Sequence, residues 1–332
     1  MLDHLAPGGA QRGHVDGAPT IGYVAAVTES PRPAGSPPLN ETEPDSGLDL
    51  QTLGHHVSQL PMMAATSTAE SSERVAASIG RNIREGLTYL GGLSKLSGQF
   101  FKAVFKGPFG MRAILDQCEA IGTRSMPVAL LILFFVGLVF ALQFGLTLQT
   151  MGAVAYIGKV VSLSIMRELG PVFTALVVGG RVGAGIAAEI GSMKVTEQVD
   201  AIRALGADPV KKLVVPRVIA ATLMLPIVAL FADIIGIIGG MLISYISFDV
   251  SPTLFYKSAI TTIRTTDFLS GFLKPFFFGF GIAIIGCLEG LNCGQGTEGV
   301  GRATTRTVVN VSVMIVLVDF FLTKLFMIIP RV

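Results

Sequence analysis

The feature that most constrains this chain is a series of five apolar segments, each close to the ~20 residues that an α-helix needs to cross a bilayer. The chain is 51% hydrophobic and only 14% charged, whereas soluble domains carry about 25% charged residues. The sequence therefore predicts an all-α integral membrane protein with five transmembrane helices, the third of them broken by Pro226. The predicted spans cover residues about 127–149, 157–185, 214–245, 269–289 and 306–329.

The part of the chain before these spans divides in two. Residues 1–78 are rich in proline, glycine and serine, and we expect a disordered extension there because such a segment buries little apolar surface. Residues 81–106 have a helical period and predict an amphipathic helix lying in the membrane interface, or an ordinary surface helix. Its apolar face would hold Leu93, Leu96, Phe100 and Val104, and its basic face Lys95, Lys102 and Lys106.

Lysine and arginine are unevenly distributed between the connections. The segment before the first span, the loop between the second and third spans, and the loop between the fourth and fifth hold most of them. Because such residues favour the cytoplasmic side, we predict a multi-pass membrane protein whose N-terminus is cytoplasmic and whose C-terminus faces outward.

Four of the charged residues inside the predicted spans are candidates for a functional role. Charge inside a bilayer is costly, and it usually faces a bundle interior or a watery cavity and marks function. At ~1.5 Å per residue all four lie in the outer half of the membrane. We expect a polar belt around a cavity that opens outward, with ion pairs that only fix helix packing as the alternative. The four residues are Arg167, Glu168, Lys274 and Asp319; Asp233 is also buried by sequence but is assigned no role.

The most polar stretch between spans is residues 192–217. It predicts a short amphipathic helix that Thr196 caps and Gly206 ends, with an apolar stripe of Val195, Val199 and Ile202. Such a helix on the cytoplasmic face either presses against a partner protein or rests on the membrane. Its polar residues are Lys194, Thr196, Glu197, Asp200 and Arg203.

Other motifs indicate packing more than chemistry. The chain has no P-loop, and its glycine pairs at small-xxx-small spacing favour close helix packing: Gly179 with Gly183, and Gly236 with Gly240. All four histidines precede residue 60, so we expect neither a metal site nor a catalytic residue in the spans. A net charge of +2 does not suggest nucleic acid as a partner.

Several separated motifs together resemble the MlaE-type (YrbE-type) permeases of ABC lipid transporters that work with an MCE-domain lipid-binding protein. They are RELGPV at 167–172, AAEIGSMKVTEQVDAIRALGADP at 187–209, VVPR at 214–217 and GRATTRTVV at 301–309. The resemblance implies a permease domain over residues 79–332 that forms a homodimer in the inner (cytoplasmic) membrane, with its C-terminus on the periplasmic side. It also implies that the chain itself is no enzyme and holds no cofactor, because ATP and Mg²⁺ belong to a separate ATPase subunit.

The resemblance further implies where partners and cargo contact the chain. The ATPase would dock on a coupling helix at about residues 194–206, and the MCE-domain protein would lie on the periplasmic side. Arg167, Glu168, Lys274 and Asp319 would line or support a cavity between protomers that takes phospholipid-like molecules. The alternative is an ion-coupled secondary transporter without an ATPase, in which Glu168 and Asp319 carry protons.

Overall fold

Long runs of apolar side chains leave the backbone no water to bond with in a membrane, so the chain satisfies its amides within helices. A computed structural model describes residues 80, 84–105, 107 and 110–328 of the protein. In that part of the chain every regular element is helical, and five helical stretches are long and apolar enough to cross a membrane. The prediction of five spans is confirmed, whereas the predicted disorder of residues 1–78 lies outside the described residues.

The five spans each extend beyond the apolar segment that predicted them. Span 1, for example, begins at Met111, well before the apolar run near residue 127. Hydropathy marks only the turns that lipid surrounds, whereas a helix continues as long as its backbone hydrogen bonds do. The spans are span 1 (Met111–Thr150), span 2 (Val154–Val195), span 3 (Val210–Phe248), span 4 (Thr265–Leu291) and span 5 (Gly296–Ile328).

Nine α-helices, α1 to α9, account for most of the described residues. Spans 1, 4 and 5 are single helices, whereas spans 2 and 3 each contain a π-helical turn. The helices are α1 (residues 84–105), α2 (Met111–Thr150), α3 (Ile157–Ser164), α4 (Gly170–Val195), α5 (Gln198–Ala204), α6 (Val215–Phe248), α7 (Pro252–Thr262), α8 (Thr265–Leu291) and α9 (Gly296–Ile328).

Span 2 departs from a regular helix within the RELGP motif. A π-helical turn, Ile165–Leu169, separates α3 from α4, and the N–H of Gly170 bonds to the carbonyl of Ile165 five residues earlier. Pro171 has no N–H, so the Arg167 carbonyl loses its regular helical donor. The Arg167 carbonyl is therefore free to accept a hydrogen bond from another span.

The prediction that Pro226 breaks span 3 is wrong. Helix α6 runs without interruption from Val215 to Phe248 and contains Pro226 among its buried residues. A proline in a helix leaves one carbonyl without its donor. Transmembrane helices tolerate this loss where neighbouring helices pack closely around it.

The N-terminal helix α1 has three faces instead of the two that were predicted. Leu96 and Phe100, from the predicted apolar face, are buried in the same core cluster as spans 2 to 5. Phe100 meets Phe280 of span 4 edge to face, with ring centroids 5.7 Å apart. Lys95 and Lys102 are exposed, as expected. A separate apolar stripe remains exposed and consists of Leu87, Leu90, Phe101 and Phe105.

The core lies where the spans pack against one another. Helix α2 packs along α6, while α4 contacts both α8 and α9. At the other end of the bundle from α5, helix α7 packs against α3. Ser251 caps α7, since its hydroxyl oxygen accepts a hydrogen bond from the Leu254 N–H at 3.3 Å. This connection between spans 3 and 4 is therefore helical.

Candidate functional site

Lys274 lies at the centre of a polar cluster inside the bundle. Its side chain in span 4 is 1% exposed. Its ammonium group donates a hydrogen bond to Glu168 of span 2 and one of 2.8 Å to the hydroxyl of Thr323 in span 5. Asp319 Oδ1 lies 2.9 Å from the same nitrogen, an ionic contact without hydrogen-bond alignment. The cluster therefore joins three spans.

The π-helical turn of span 2 brings this cluster together. The Arg167 carbonyl, which Pro171 leaves without a helical donor, accepts a hydrogen bond of 3.1 Å from Lys274 Nζ. Gly271, one turn before Lys274, lies against the Met166 carbonyl, where any side chain would collide with the backbone. A glycine at this position lets span 4 approach the turn closely enough for Lys274 to reach it.

Three of the four residues predicted for the polar belt meet in this way: Glu168, Lys274 and Asp319. The fourth, Arg167, points elsewhere, because consecutive helical residues differ by about 100° in direction. Its Nε lies 3.7 Å from Asp267 Oδ1 near the start of span 4, and the two side chains are 25% and 15% exposed. Among the described residues, the Lys274 cluster therefore holds one cation and two carboxylates, both of them partly exposed.

Two residues of this site were missed from the sequence. Thr323 lies one helical turn after Asp319, so its position on the same face of α9 was readable. Asp267 precedes residue 269, where span 4 was predicted to begin, but its carboxylate accepts a hydrogen bond of 3.2 Å from the Arg264 N–H and caps α8. Its second oxygen then remains available for Arg167.

An apolar groove lies between spans 1 and 2. Leu169, the residue after Glu168, lines it together with Phe173 of span 2 and a row of span 1 side chains. The groove has a volume of about 490 Å³ and is open to the side of the bundle. Its span 1 wall includes Leu131, Phe135 and Val139, which are 58%, 56% and 57% exposed.

Asp233, to which the sequence assigned no role, lies on span 3 and is 5% exposed. Its carboxylate is packed against Gly170, at the end of the π-helical turn, where a Cβ would collide with Oδ1. No cation contacts Asp233 among the residues that the structure describes. It is thus a neighbour of the polar cluster without being a member of it.

Helix α5 projects from the connection between spans 2 and 3. Asp200 and Arg203 pair at 2.9 Å on its surface, with side chains 66% and 62% exposed. Val199 anchors the helix and is 3% exposed. Leu205, which follows α5, is 85% exposed, and Gly206 has the left-handed φ of 74° that ends the helix.

The prediction that Thr196 caps this helix is wrong. Thr196 ends α4, and its hydroxyl donates a hydrogen bond of 2.9 Å to the Ser192 carbonyl. The N-cap position of α5 belongs to Glu197, which adopts a φ of 60° without a side-chain cap bond. Span 2 ends at Val195, directly before Thr196, and Lys194 in its last turn donates a hydrogen bond of 3.0 Å to the Cys293 carbonyl.

The glycine pairs of spans 2 and 3 lie at helix–helix contacts. A Cβ on Gly179 would be 3.0 Å from side-chain atoms of both span 4 and span 5. A Cβ on Gly183 would be 3.1 Å from a side-chain atom of span 5. On Gly236 it would be 3.1 Å from the Leu133 carbonyl of span 1, and on Gly240 it would be 2.7 Å from Val161. Gly137 of span 1, which the sequence analysis did not select, makes a still closer contact with the Gly236 carbonyl.

These features form two regions at opposite ends of the bundle. The polar cluster and its apolar groove lie toward the end where spans 2 and 4 begin and span 5 ends. Helix α5 lies at the other end, where span 2 ends and span 3 begins. The charged cluster and the exposed helix α5 are thus separated by most of the length of span 2.

Known proteins match the chain over the same region. The family model of the permease MlaE matches residues 114–325. A probable ABC transporter permease of Rickettsia felis is 42% identical over 252 residues, which cover 76% of this chain and 97% of that protein.

Two other relatives agree with this match. A probable ABC transporter permease of Synechocystis is 44% identical over 69% of this chain and 88% of its own length. The permease MlaE of an intermembrane phospholipid transport system of Haemophilus influenzae is 35% identical over 64% of this chain and 82% of its own length. The resemblance found in the separated motifs is thereby confirmed, and the chain, a multi-pass membrane protein, belongs to the MlaE permease family.

Proposed function

We propose that this chain is the membrane subunit of an ATP-driven transporter that moves phospholipid-like molecules between the inner membrane and the outer envelope. One observation carries the proposal: consecutive residues of span 2 belong to the charged cluster (Glu168) and to the wall of an open apolar groove (Leu169). A phospholipid needs both environments at once, since its headgroup is ionic and its acyl chains are apolar. The phospholipid transport named for the Haemophilus relative supports the same cargo.

Arg167 is the residue that suits the lipid phosphate best. Lys274 already contacts two carboxylates and is 1% exposed, so its charge is neutralised before a lipid arrives. Arg167 is 25% exposed, and 3.7 Å separates it from Asp267, which leaves its donors available. A guanidinium binds phosphate through paired N–H groups. In this proposal Glu168, Lys274 and Asp319 support the cavity while Arg167 contacts the headgroup.

A second copy of the chain would complete the cavity. The groove is bounded on one side by spans 1 and 2 and is open on the other, where the exposed side chains are large and apolar. A homodimer that places these open sides face to face would enclose a lipid between the protomers. In the same assembly the four glycines Gly179, Gly183, Gly236 and Gly240 keep each protomer tightly packed.

Helix α5 is the surface on which we place the ATPase subunit. It presents an exposed ion pair, Asp200 with Arg203, beside an exposed leucine, Leu205. A large apolar side chain within a charged rim is typical of a protein interface. ATP and Mg²⁺ would be bound by that partner, and this chain would perform no chemistry of its own.

The remaining partners and the location follow from the orientation. With α5 in the cytoplasm, the polar cluster lies in the outer half of an inner membrane, and an MCE-domain protein would receive or deliver lipid at the periplasmic end. Helix α1 would lie in the cytoplasmic interface with its exposed stripe, Leu87, Leu90, Phe101 and Phe105, toward the acyl chains.

The test is a pull-down of the full-length chain from native membranes in mild detergent, with mass spectrometry of proteins and lipids. We expect an ABC ATPase, an MCE-domain protein and phospholipid. Leu205→Asp should reduce the recovered ATPase at least about tenfold, the effect of losing one strong interface residue. Leu254→Asp, which changes an exposed leucine of α7 at the other end, is the matched control.

Two results would reject the proposal. A wild-type chain that repeatedly purifies without any ATPase would favour the ion-coupled secondary transporter, in which the carboxylates of Glu168 and Asp319 carry protons. A complete complex that never contains phospholipid would keep the ATPase but remove the proposed cargo.

A further inference from the structure

Glu189 and Arg217 form an ion pair at the base of the connection that carries α5. Glu189 is on α4, and Arg217 is near the start of α6. Arg217 Nη2 lies 2.7 Å from Glu189 Oε1. We call these two residues the loop clamp, because they join α4 and α6, the two helices that the α5 connection links.

The charge of Arg217 is balanced by Glu189. Its side chain is 5% exposed, whereas that of Glu189 is 51% exposed. Arg217 Nη1 also donates a hydrogen bond of 2.7 Å to the Leu213 carbonyl, within the π-helical turn that leads into α6. A buried guanidinium needs a counter-charge, and Glu189 supplies the only one within salt-bridge distance among the described residues.

The connection between the clamped helices has few other rigid attachments. Glu197, with a φ of 60°, turns the chain sharply between α4 and α5, so these two helices are separate rigid segments. Within α5 only Val199 is buried. A force on α5 consequently reaches the bundle through the two ends of the connection, where the loop clamp lies.

Two lysines attach the same connection to its neighbours. Lys194 donates to the Cys293 carbonyl between spans 4 and 5 at 3.0 Å, and Lys211 donates to the Gly107 carbonyl between α1 and span 1 at 2.7 Å. These are hydrogen bonds from flexible side chains to backbone groups. The loop clamp, by contrast, joins spans 2 and 3 directly through opposite charges.

We propose that Glu189 and Arg217 are positioning residues that make spans 2 and 3 move as one unit when a cytoplasmic partner displaces α5. Arg167 and Glu168 lie on span 2 nearer its beginning than Glu189 does. A joint movement of spans 2 and 3 would therefore reach the polar cluster. The inference rests on the proposed function, because it needs an ATPase that pushes on α5. It adds two residues, outside both α5 and the polar cluster, that set how much lipid moves for each ATP.

The experiment uses the complete transporter, permease with its ATPase, reconstituted in phospholipid vesicles. Glu189→Gln keeps the shape of the side chain and removes its charge. ATPase binding and the rate of ATP hydrolysis should stay unchanged, while the lipid moved per ATP should fall about tenfold, within the usual range of coupling between sites. Glu298→Gln, which breaks the exposed Glu298–Arg302 contact of 3.7 Å, is the matched control and should change nothing.

A second variant protects the test against a folding defect. If Glu189→Gln does not assemble, Arg217→Lys is measured in the same way, since it keeps the positive charge and loses the forked contact. An unchanged ratio of lipid to ATP would overturn the proposal. So would a fall in that ratio accompanied by loss of ATPase binding, whereas some loss of thermal stability is expected because buried Arg217 loses its counter-charge. A wild-type complex that hydrolyses ATP without moving lipid would instead count against the proposed function.

Discussion

At the scale of single residues, the arrangement around Lys274 explains how this membrane domain accommodates internal charge. Its ammonium group contacts oxygen atoms of Glu168 and Arg167 on span 2 and of Asp319 and Thr323 on span 5. A buried charge that loses its partners is strongly destabilising, whereas removing all members of the group is tolerated far better. Stability and transport can therefore be separated by experiment.

We predict that Lys274→Met, which nearly conserves volume, lowers stability by about 3–5 kcal/mol because it leaves two carboxylates side by side without their cation. The triple variant Lys274→Met, Glu168→Gln, Asp319→Asn should recover most of that stability but not lipid transport, since the charges that would organise the proposed cavity are gone. Thermal unfolding in detergent and transport in vesicles measure the two effects. Full transport by the triple variant would mean that the cluster serves packing alone.

At the scale of elements, α1 is attached to the bundle by a polar contact as well as by its buried apolar face. The Asn310 side chain of span 5 donates to the Tyr89 hydroxyl at 3.1 Å and to the Glu289 carboxylate of span 4 at 3.0 Å. Burial, followed by the nearby Glu289 charge, raises the pKa of Tyr89. The phenol of Tyr89 is therefore neutral in the folded protein at physiological pH.

Tyr89→Phe should destabilise the protein by about 1 kcal/mol, the usual net value of one such hydrogen bond. Because the pKa of Tyr89 is raised by folding, its contribution should be constant below about pH 10, the ordinary tyrosine value, and decrease above it. Thermal unfolding of Tyr89→Phe, Asn310→Ala and the double variant measures the coupling between the two residues. Tyr256→Phe, on exposed α7, serves as the control. Strict additivity of the two changes would show that the contact contributes nothing.

At the scale of the whole molecule, the polar cluster and α5 occupy opposite ends of the bundle. The connection that carries α5 is rich in lysine and arginine, which favours the cytoplasmic side. The α7 connection, with Lys257 as an exposed residue, then lies outside. In the proposed transporter, the recess for a lipid would open away from the site of ATP hydrolysis, so coupling would have to travel the length of span 2.

This orientation predicts which sites a membrane-impermeant maleimide can reach in intact cells. In a background without Cys118, Cys287 and Cys293, Lys257→Cys should be labelled from outside, whereas Leu205→Cys should react only after the inner membrane is permeabilised. Both positions are exposed, so the difference reports sidedness and not burial. Labelling of Leu205→Cys in intact cells would invert the topology and move the proposed ATPase surface to the wrong side.

The number of spans, the charged residues within them and the short helix between spans 2 and 3 were all readable in the sequence. Each depends on a local property: the length of an apolar run, the presence of an ionisable side chain, or a glycine at a helix end. These properties need no knowledge of neighbours. The family motifs were readable for the same reason, since each is a short continuous stretch.

The partners of those residues were decided only by the tertiary structure. Arg167 and Glu168 are adjacent, yet one reaches Asp267 and the other Lys274. Likewise, the buried face of α1 packs against protein and leaves a different stripe exposed. Helical periodicity states which residues share a face, but not whether that face meets lipid or another helix, and a π-helical turn shifts every later residue around the axis. The sequence thus determined which charges enter the membrane, and the packing of spans 2, 4 and 5 decided which of them neutralise one another.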